Sequence, residues 1–280
     1  VIDVAGRIRA LDLTGIRNDA DAIVDGGLDL AVGEASQVSV TLLDPEGELI
    51  RAKGARMGAV LRWGGLRFTV TVVEHGPMRG ARCTAVTARS EGWTALKRRR
   101  GARTWRGVSP SAVVAMEAKA VGLEAVCQPS ANRKTISRLA QGEKRGSTST
   151  IELIDRLAGE LGYVYGEVGG TLFFGAPSWL VKRPGWEVPV DAEWLTEYPM
   201  MRRTQDDKKT PATVSLRITG EKPGNVLLPF TPVQLTKAPG GFSGRYLVER
   251  VLVPFTATPG DVELATPVDP EAQKPPRGES

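Results

Sequence analysis

Apolar and polar positions alternate with a period of two through much of residues 1–92. Val38-Ser39-Val40-Thr41-Leu42-Leu43 reads as a strand that ends at the turn signal Asp44-Pro45-Glu46-Gly47. Val60–Trp63 and Leu66–Val73 flank Gly64-Gly65, the pattern of a hairpin with a tight turn. Cys83–Ala88 is a further strand, and short strands at this spacing predict a small barrel or sandwich. The period then changes. Ser109 precedes Pro110, a capping side chain followed by a proline at the first helical position. The helix predicted to Val121 carries Val113, Val114, Ala120 and Val121 on one face, and Gly122 stops it. Leu123–Val126 can return to a strand. A second helix opens at Ser149, where Glu152 three residues on makes a capping box. Ile151, Ile154, Ala158 and Leu161 follow at helical spacing, Leu153 and Leu157 widen the stripe, and Gly162 ends it. Tyr163-Val164-Tyr165 and Thr171–Phe174 flank Gly169-Gly170 as a second hairpin. From residue 186 the chain reads as β again, with strands at Ala212–Ile218, Gly244–Val253 and Asp261–Ala265.

The layout is β, then α/β, then β, in an α+β chain that is mainly β. It divides into an N-terminal β region (1–92), an insertion with two helices and a hairpin (93–185), a C-terminal β region (186–268) and a flexible tail (269–280). Gln141–Ser147 reads as a polar loop. With 280 residues, 41% of them hydrophobic, the chain can build a sizeable core. No apolar run approaches the roughly 20 residues of a membrane span. The opening Val1-Ile2-Asp3-Val4 lacks the basic and apolar blocks of a signal peptide, and its missing Met suggests trimming or a start further upstream. Two cysteines far apart, Cys83 and Cys127, fit free thiols in a reducing cytoplasm.

Charge changes the picture most. The formal net charge is +5, but residues 1–96 carry −1, residues 97–185 carry +8 and residues 186–280 carry −2. The excess is concentrated in Lys97, Arg98, Arg99, Arg100, Arg103 and Arg106, flanked by Trp93 and Trp105. One reading is phosphate binding, because guanidinium forks match phosphate oxygens and Trp can stack on bases. The other is a solvated basic connector that meets acidic residues of a neighbouring subunit. Arg133, Lys134, Arg138, Lys144 and Arg145 form a looser second set.

Catalytic chemistry finds little to stand on. The one histidine, His75, follows a strand and is expected in a surface turn, with no nucleophile signature around it. One His and two distant Cys do not make a metal site, and Asp206-Asp207, between Arg and Lys pairs, reads as a solvated loop. No cofactor is indicated, since Gly166–Gly170 is a hairpin turn with no helix after it to hold a phosphate. Tyr163, Tyr165, Phe173, Phe174 and Trp179 could form a stacking platform, but core beneath the second helix is the preferred reading. There Ile154, Leu157 and Leu161 are expected against Phe173 and Tyr163.

The run Arg156–Tyr165, then Gly169–Gly175 and Pro177-Ser178-Trp179-Leu180, resembles the helix-hairpin of phage tail hub proteins, the family of the late control protein D group and the baseplate hubs of contractile and long flexible tails. Arg98–Pro110 is similar to the connector of hub-like tail proteins of actinobacterial phages, and Gly241–Val248 to the strand entry of the last barrel. The resemblance implies two tail-tube-type β-barrels separated by the small α/β insertion, and no enzymatic activity. It implies a structural hub subunit at the distal end of a phage tail tube, in the virion and assembled in the host cytoplasm. Three copies with two barrels each would make a six-fold homotrimeric ring through which DNA passes, with strand edges abutting across subunits. Expected partners are a distal tail or tail-tube protein, the tape-measure protein and a tail-tip or fibre protein, with transient DNA contact in the lumen. The basic segment is expected away from the lumen, because a ring of arginines would hold passing phosphates. A nucleic-acid-binding protein is the alternative reading, and a cell-wall hydrolase a weaker one.

Overall fold

The computed structural model describes residues 11–12, 23–51, 56–63, 65–78, 80–138, 148–202, 213–218, 227–239, 241–255 and 259–265. The N-terminal β region contains β1 (Leu11–Asp12), β2 (Ile23–Ala31), β3 (Gln37–Leu43), the short α1 (Glu48–Arg51), β4 (Val60–Trp63), β5 (Leu66–Met78) and β6 (Ala81–Ser90). The insertion follows with α2 (Glu91–Arg98), β7 (Arg103–Val108), α3 (Pro110–Lys119), β8 (Glu124–Cys127), β9 (Lys134–Arg138), α4 (Thr150–Leu161), β10 (Val164–Val168), β11 (Thr171–Gly175) and α5 (Pro177–Leu180). The C-terminal β region holds β12 (Trp186–Pro189), β13 (Met200–Arg202), β14 (Thr213–Ile218), β15 (Pro232–Thr236), β16 (Gly244–Pro254) and β17 (Gly260–Ala265). The mainly β, α+β class is as the sequence patterns imply. The expected loop at Gln141–Ser147, Asp206-Asp207 and the tail lie outside the described residues.

Both β regions belong to one 12-stranded sheet, in the order β1-β4-β5-β6-β3-β2-β16-β17-β14-β13, with β15 also on β16 and β12 parallel to β15. Among the described residues the hydrogen bonding closes neither region onto itself as a separate barrel. Instead, β2 runs antiparallel to β16, from Arg250↔Ala31 to Pro254↔Gly27. The hydrophobic alternation read in the sequence fills one shared core from both sides of this seam, including Leu28, Leu30, Val38 and Val40 with Val214, Leu216, Val251 and Val253. At the seam Gly26 has φ +147°, and a Cβ there would lie 2.5 Å from the Ser39 carbonyl oxygen, so only glycine fits the close approach.

The insertion has its own sheets, β10-β11-β8 and β7-β9, and its own core. The caps of its helices form as the sequence indicates. The Ser109 hydroxyl accepts from the Ala112 N–H, Ser149 and Glu152 form the reciprocal capping box, and Gly162 ends α4 in the left-handed region at φ 66°. Leu153, Ile154 and Leu157 of α4 are buried, and Leu161 packs partly buried at the rim. Their aromatic neighbours differ from expectation in parity: Phe174 faces the helix core, edge-on to Tyr163 with centroids 5.3 Å apart, while Phe173 points the other way and stacks on Phe230 at 4.8 Å. Alternation along a strand sends adjacent residues to opposite faces, so only one of the two phenylalanines can meet α4. Tyr165 stacks on Trp93 at 6.0 Å. The five aromatics are therefore divided among separate contacts and form no single stacking platform.

Two groups of contacts stand out in holding the insertion on the sheet. Phe173 and Phe230 join Val168, Leu180 and Leu247 in a small core between hairpin and sheet. Beside it, the buried Glu167 carboxylate of β10 accepts hydrogen bonds from the Ser90 hydroxyl, the Trp93 N–H at 3.3 Å and the Gly170 N–H at 2.9 Å. Burial pushes this carboxyl above its ordinary range despite those donors. Ser90 is both the last residue of β6 and the N-cap of α2, so Glu167 ties the hairpin to the point where the chain leaves the sheet.

Leu157→Ala is expected to cost about 2–5 kcal/mol in chemical denaturation, the range for truncating a fully buried leucine. Leu161→Ala should cost clearly less, because that side chain is partly exposed.

Candidate functional site

The six basic residues singled out in the sequence do not form a loose connector. Ser90 caps α2, whose buried face is Gly92, Trp93 and Leu96, and Lys97 and Arg98 occupy its exposed last turn. Cations there complement the helix dipole. Arg99 and Arg100 run extended past Ser149 and Thr150, with the Arg99 carbonyl accepting from the Thr150 N–H at 2.9 Å and Arg100 bridging to Ser149. Arg103 and Arg106 lie on β7, which pairs with β9 so that Arg103 stands opposite Arg138.

The segment is ordered by a buried carboxylate. Glu117 of α3 is fully buried, and its oxygens meet Arg99 Nε at 2.9 Å, Arg103 Nη1 at 3.3 Å, Arg138 Nη1 at 2.5 Å and the Thr150 hydroxyl at 2.9 Å. Arg138 also donates to the Gly101 carbonyl at 2.8 Å, and the Arg103 guanidinium lies over the Trp105 ring at 5.2 Å. Burial alone pushes the Glu117 carboxyl up. Hydrogen bonds from Arg99 and Thr150, with the charges of Arg138 and Arg99, outweigh it and hold the carboxyl below its ordinary value. The acidic partner proposed for the basic connector is thus, for Arg99 and Arg103, inside the same chain. The sequence carried a signal for it: Glu117 falls at i+3 and i+4 from Val114 and Val113, an acid on the apolar face of its helix.

Lys97, Arg98 and Arg100 stay at the surface. With Arg89 of β6, Trp93 and Met57 they line a groove of about 600 Å³ over Val70 and Thr71. The Glu152 carboxyl lies close by. The Ser149 backbone N–H holds it below its ordinary range, with a smaller contribution from the charges of Arg100 and Lys97. Arg106 is exposed on β7 and does not line the groove. In the second basic set, Arg138 is consumed by Glu117 and Lys134 pairs with Glu160. Arg133 is exposed, and Lys144 and Arg145 lie outside the described residues. Arg89 and Glu117 are charged members of this site that sequence reasoning missed, as it did Thr150 and Met57.

The remaining candidates resolve simply. His75 is part of β5 and no surface turn; its Nδ1 lies 3.0 Å from the Thr84 hydroxyl and 3.6 Å from Asp44, whose carboxylate accepts from that hydroxyl at 2.6 Å. This knot fastens the turn after β3, where Asp44 also accepts from the Leu49 N–H at 3.2 Å. Cys83 and Cys127 are free thiols, and burial pushes Cys127 up to about 11. Among the described residues no three His, Cys, Asp or Glu side chains converge as a metal site, and no helix is long and apolar enough to cross a membrane.

Glu117→Gln should lose about 3–5 kcal/mol at neutral pH, because three guanidiniums lose their buried counter-charge. A carboxyl held below its ordinary value of 4.5 stabilises the fold above that value, and the contribution fades as the pH falls through the lowered one. Urea denaturation followed from pH 7 down to about pH 3 should therefore show the wild type losing its advantage over the variant in acid.

No family model matches the chain, and no curated protein matches it. Solved structures do. The 43 kDa tail protein of prophage MuSo2 from Shewanella oneidensis aligns at 12% identity over 87% of this chain and 92% of its own, with a TM-score of 0.60. A tail protein from Neisseria meningitidis MC58 aligns at 11% identity over 86% and 91%, with a TM-score of 0.57. The Escherichia coli c3393 protein, a component of the type VI secretion system structurally similar to the T4 phage tail proteins gp27 and gp5, aligns at 10% identity over 88% and 73%, with a TM-score of 0.59. The chain shares its fold with phage tail proteins and with this secretion component.

Proposed function

We propose that the chain is a structural, non-enzymatic hub subunit at the distal end of a bacteriophage tail tube. In this reading three copies form a ring that joins the tube to the tail tip and lets DNA pass. The observation that carries it is the layout itself: two β regions of similar size, joined through β2 and β16 and flanking one small α/β insertion, in a fold shared along 86–88% of the chain with tail proteins and a secretion component. The β regions 1–92 and 186–268 would be the two tube-type modules, and 93–185 the insertion between them. A distal tail or tail-tube protein, the tape-measure protein and a tail-tip or fibre protein would be the neighbours, and the virion tail its location. An actinobacterial source rests on the connector's resemblance alone.

The nucleic-acid reading loses part of its basis, because two of its six residues, Arg99 and Arg103, are engaged by Glu117. A passage for DNA favours walls that do not bind phosphate tightly, which supports placing the remaining cations away from the lumen.

Native mass spectrometry and cryo-EM class averages of the purified chain should show a three-subunit ring with an open centre. A monomer at high concentration, or a hexamer of this chain, would refute the arrangement.

A further inference from the structure

The surface carries two patches of different charge character, one against β5 and β6 and one between β12 and β13. The first is the groove lined by Arg89, Lys97, Arg98 and Arg100, which lies against β5 and β6, with Met57 at its wall exposed to 67%. The second begins at β12 and ends on β13, the last strand of the order. From Trp186 to Met201 the sequence carries four carboxylates, Glu187, Asp191, Glu193 and Glu197, and no Lys or Arg. All four are exposed. Asp191 is taken up by Lys237 at 2.8 Å, and Glu197 shares Arg217 with Asp261 at 3.3 Å. Exposed apolar side chains accompany these carboxylates: Trp186, Tyr198 at 58% and Met200 at 71%. Trp186 and Glu187 share a pocket with Lys182, Arg183 and Arg245, which leaves Glu193 and the shared Glu197 as the acidic part of the face beside Tyr198 and Met200. Large exposed hydrophobics with charges around them are the makings of an interface with an apolar centre and a charged rim.

We propose that the basic groove of one copy receives the acidic, aromatic face at Glu193–Met200 of a second copy, a head-to-tail contact between two different patches of the same chain. Glu193, and Glu197 with the Arg217 it shares with Asp261, set carboxylates against the cations of the groove, and each side contributes exposed apolar surface to bury. The lining of the groove includes no residue from 186–201, so a copy's own acidic face does not fill its groove in the described arrangement, and every copy keeps one donor and one acceptor surface. Such a heterologous contact repeats with a fixed rotation and closes a ring when that rotation allows. The inference rests on the ring reading above and names the surfaces that would build it. Within the ring, the groove would serve neighbouring protein and not DNA.

Charge reversal on the full chain tests it. Lys97→Glu with Arg98→Glu, and separately Glu193→Lys with Glu197→Lys, should each weaken association about tenfold or more in sedimentation velocity. The chain carrying all four changes should recover it. Circular dichroism and thermal melting identify any variant that fails to fold. For such a case, the wild type alone should dissociate as salt rises from about 0.05 M to about 0.5 M, because exposed charges are screened. A wild-type chain that is monomeric at every concentration overturns the ring and this contact together. A ring indifferent to both reversals and to salt overturns this contact and leaves the ring standing, as does a four-change chain that folds but does not reassemble. If the Lys97–Arg98 reversal leaves the ring intact and abolishes binding of a short single-stranded DNA, the groove belongs to nucleic acid and the proposal fails.

Discussion

The antiparallel pairing of β2 with β16 is the constraint on which the remaining structure depends. It joins residues far apart in the chain: the Arg250–Asp29 pair that crosses it spans 221 positions, with contacts at 3.0 and 2.6 Å. That ion pair is half exposed and contributes little by itself. Closing so long a loop costs entropy that grows only slowly with its length, and the ladder and the shared core beneath it offset that cost. Once the seam is made, residues 32–249 form an excursion with both ends fixed. The insertion must leave from β6 and return at β12, and its position on the sheet becomes a matter of local contacts. The Val32 N–H bonds to the Glu249 carbonyl and the Gly33 N–H to the Tyr165 carbonyl, at 2.9 and 2.8 Å, so the seam's own end touches the hairpin of the insertion.

A second constraint acts inside the insertion. A net charge of +8 over residues 97–185 suggests a uniformly positive module. One buried carboxylate changes that, because it neutralises part of the charge of the guanidiniums that converge on it: Arg138 is buried with Glu117, while Arg99 and Arg103 reach it from the surface. Arg103 and Arg138 stand directly opposite each other across β7 and β9, an arrangement that repels without a shared counter-charge. Glu117 therefore permits this strand pairing and at the same time sorts the basic residues into an inner structural set and an outer one. The outer set faces a surface of strands β5 and β6, which belong to the other unit of the fold. Surface charge here is a product of the tertiary structure, and the linear charge count overstates it.

Where local chemistry decides an element, the sequence was readable. Ser109-Pro110, the Ser149/Glu152 box, Gly162 and Gly169-Gly170 each specify a backbone conformation by themselves, and each is found where the pattern places it. Legibility fails where the deciding interaction is distant. Helix α2 was missed because its first turn contains Gly92, a poor helix former. That glycine is required by packing: a Cβ there would lie 2.6 Å from Leu123 and 2.8 Å from the Glu167 carboxyl carbon. The parity of Phe173 and Phe174 depends on which face of β11 meets α4, and two adjacent aromatics give no local preference. The seam was invisible for the same reason, since alternation in β2 and β16 says that each has a buried face but not which strand it pairs with. Of the site, the cations were legible as a cluster. Their division between Glu117 and the groove was not, because it depends on α3 and β9.

The open ends of the sheet bear on how copies of the chain can meet. The described strand order terminates in β1 and β13, and strand edges are templates for further pairing. If copies added edge to edge through their ladders, nothing in the hydrogen bonding would fix their number, and a sheet could extend without limit. A contact guided by side-chain charge behaves differently. The geometry of the proposed contact would be set by where the groove at β5 and β6 stands relative to the carboxylates before β13, and the seam and the shared core tie together the two β regions that carry them. In the proposed ring each copy would then meet its neighbour at one angle, and the number of copies would follow from that angle. The pairing of β2 with β16, made once within the chain, thereby determines where the insertion stands, and in the proposed ring it would also set the angle at which two chains join.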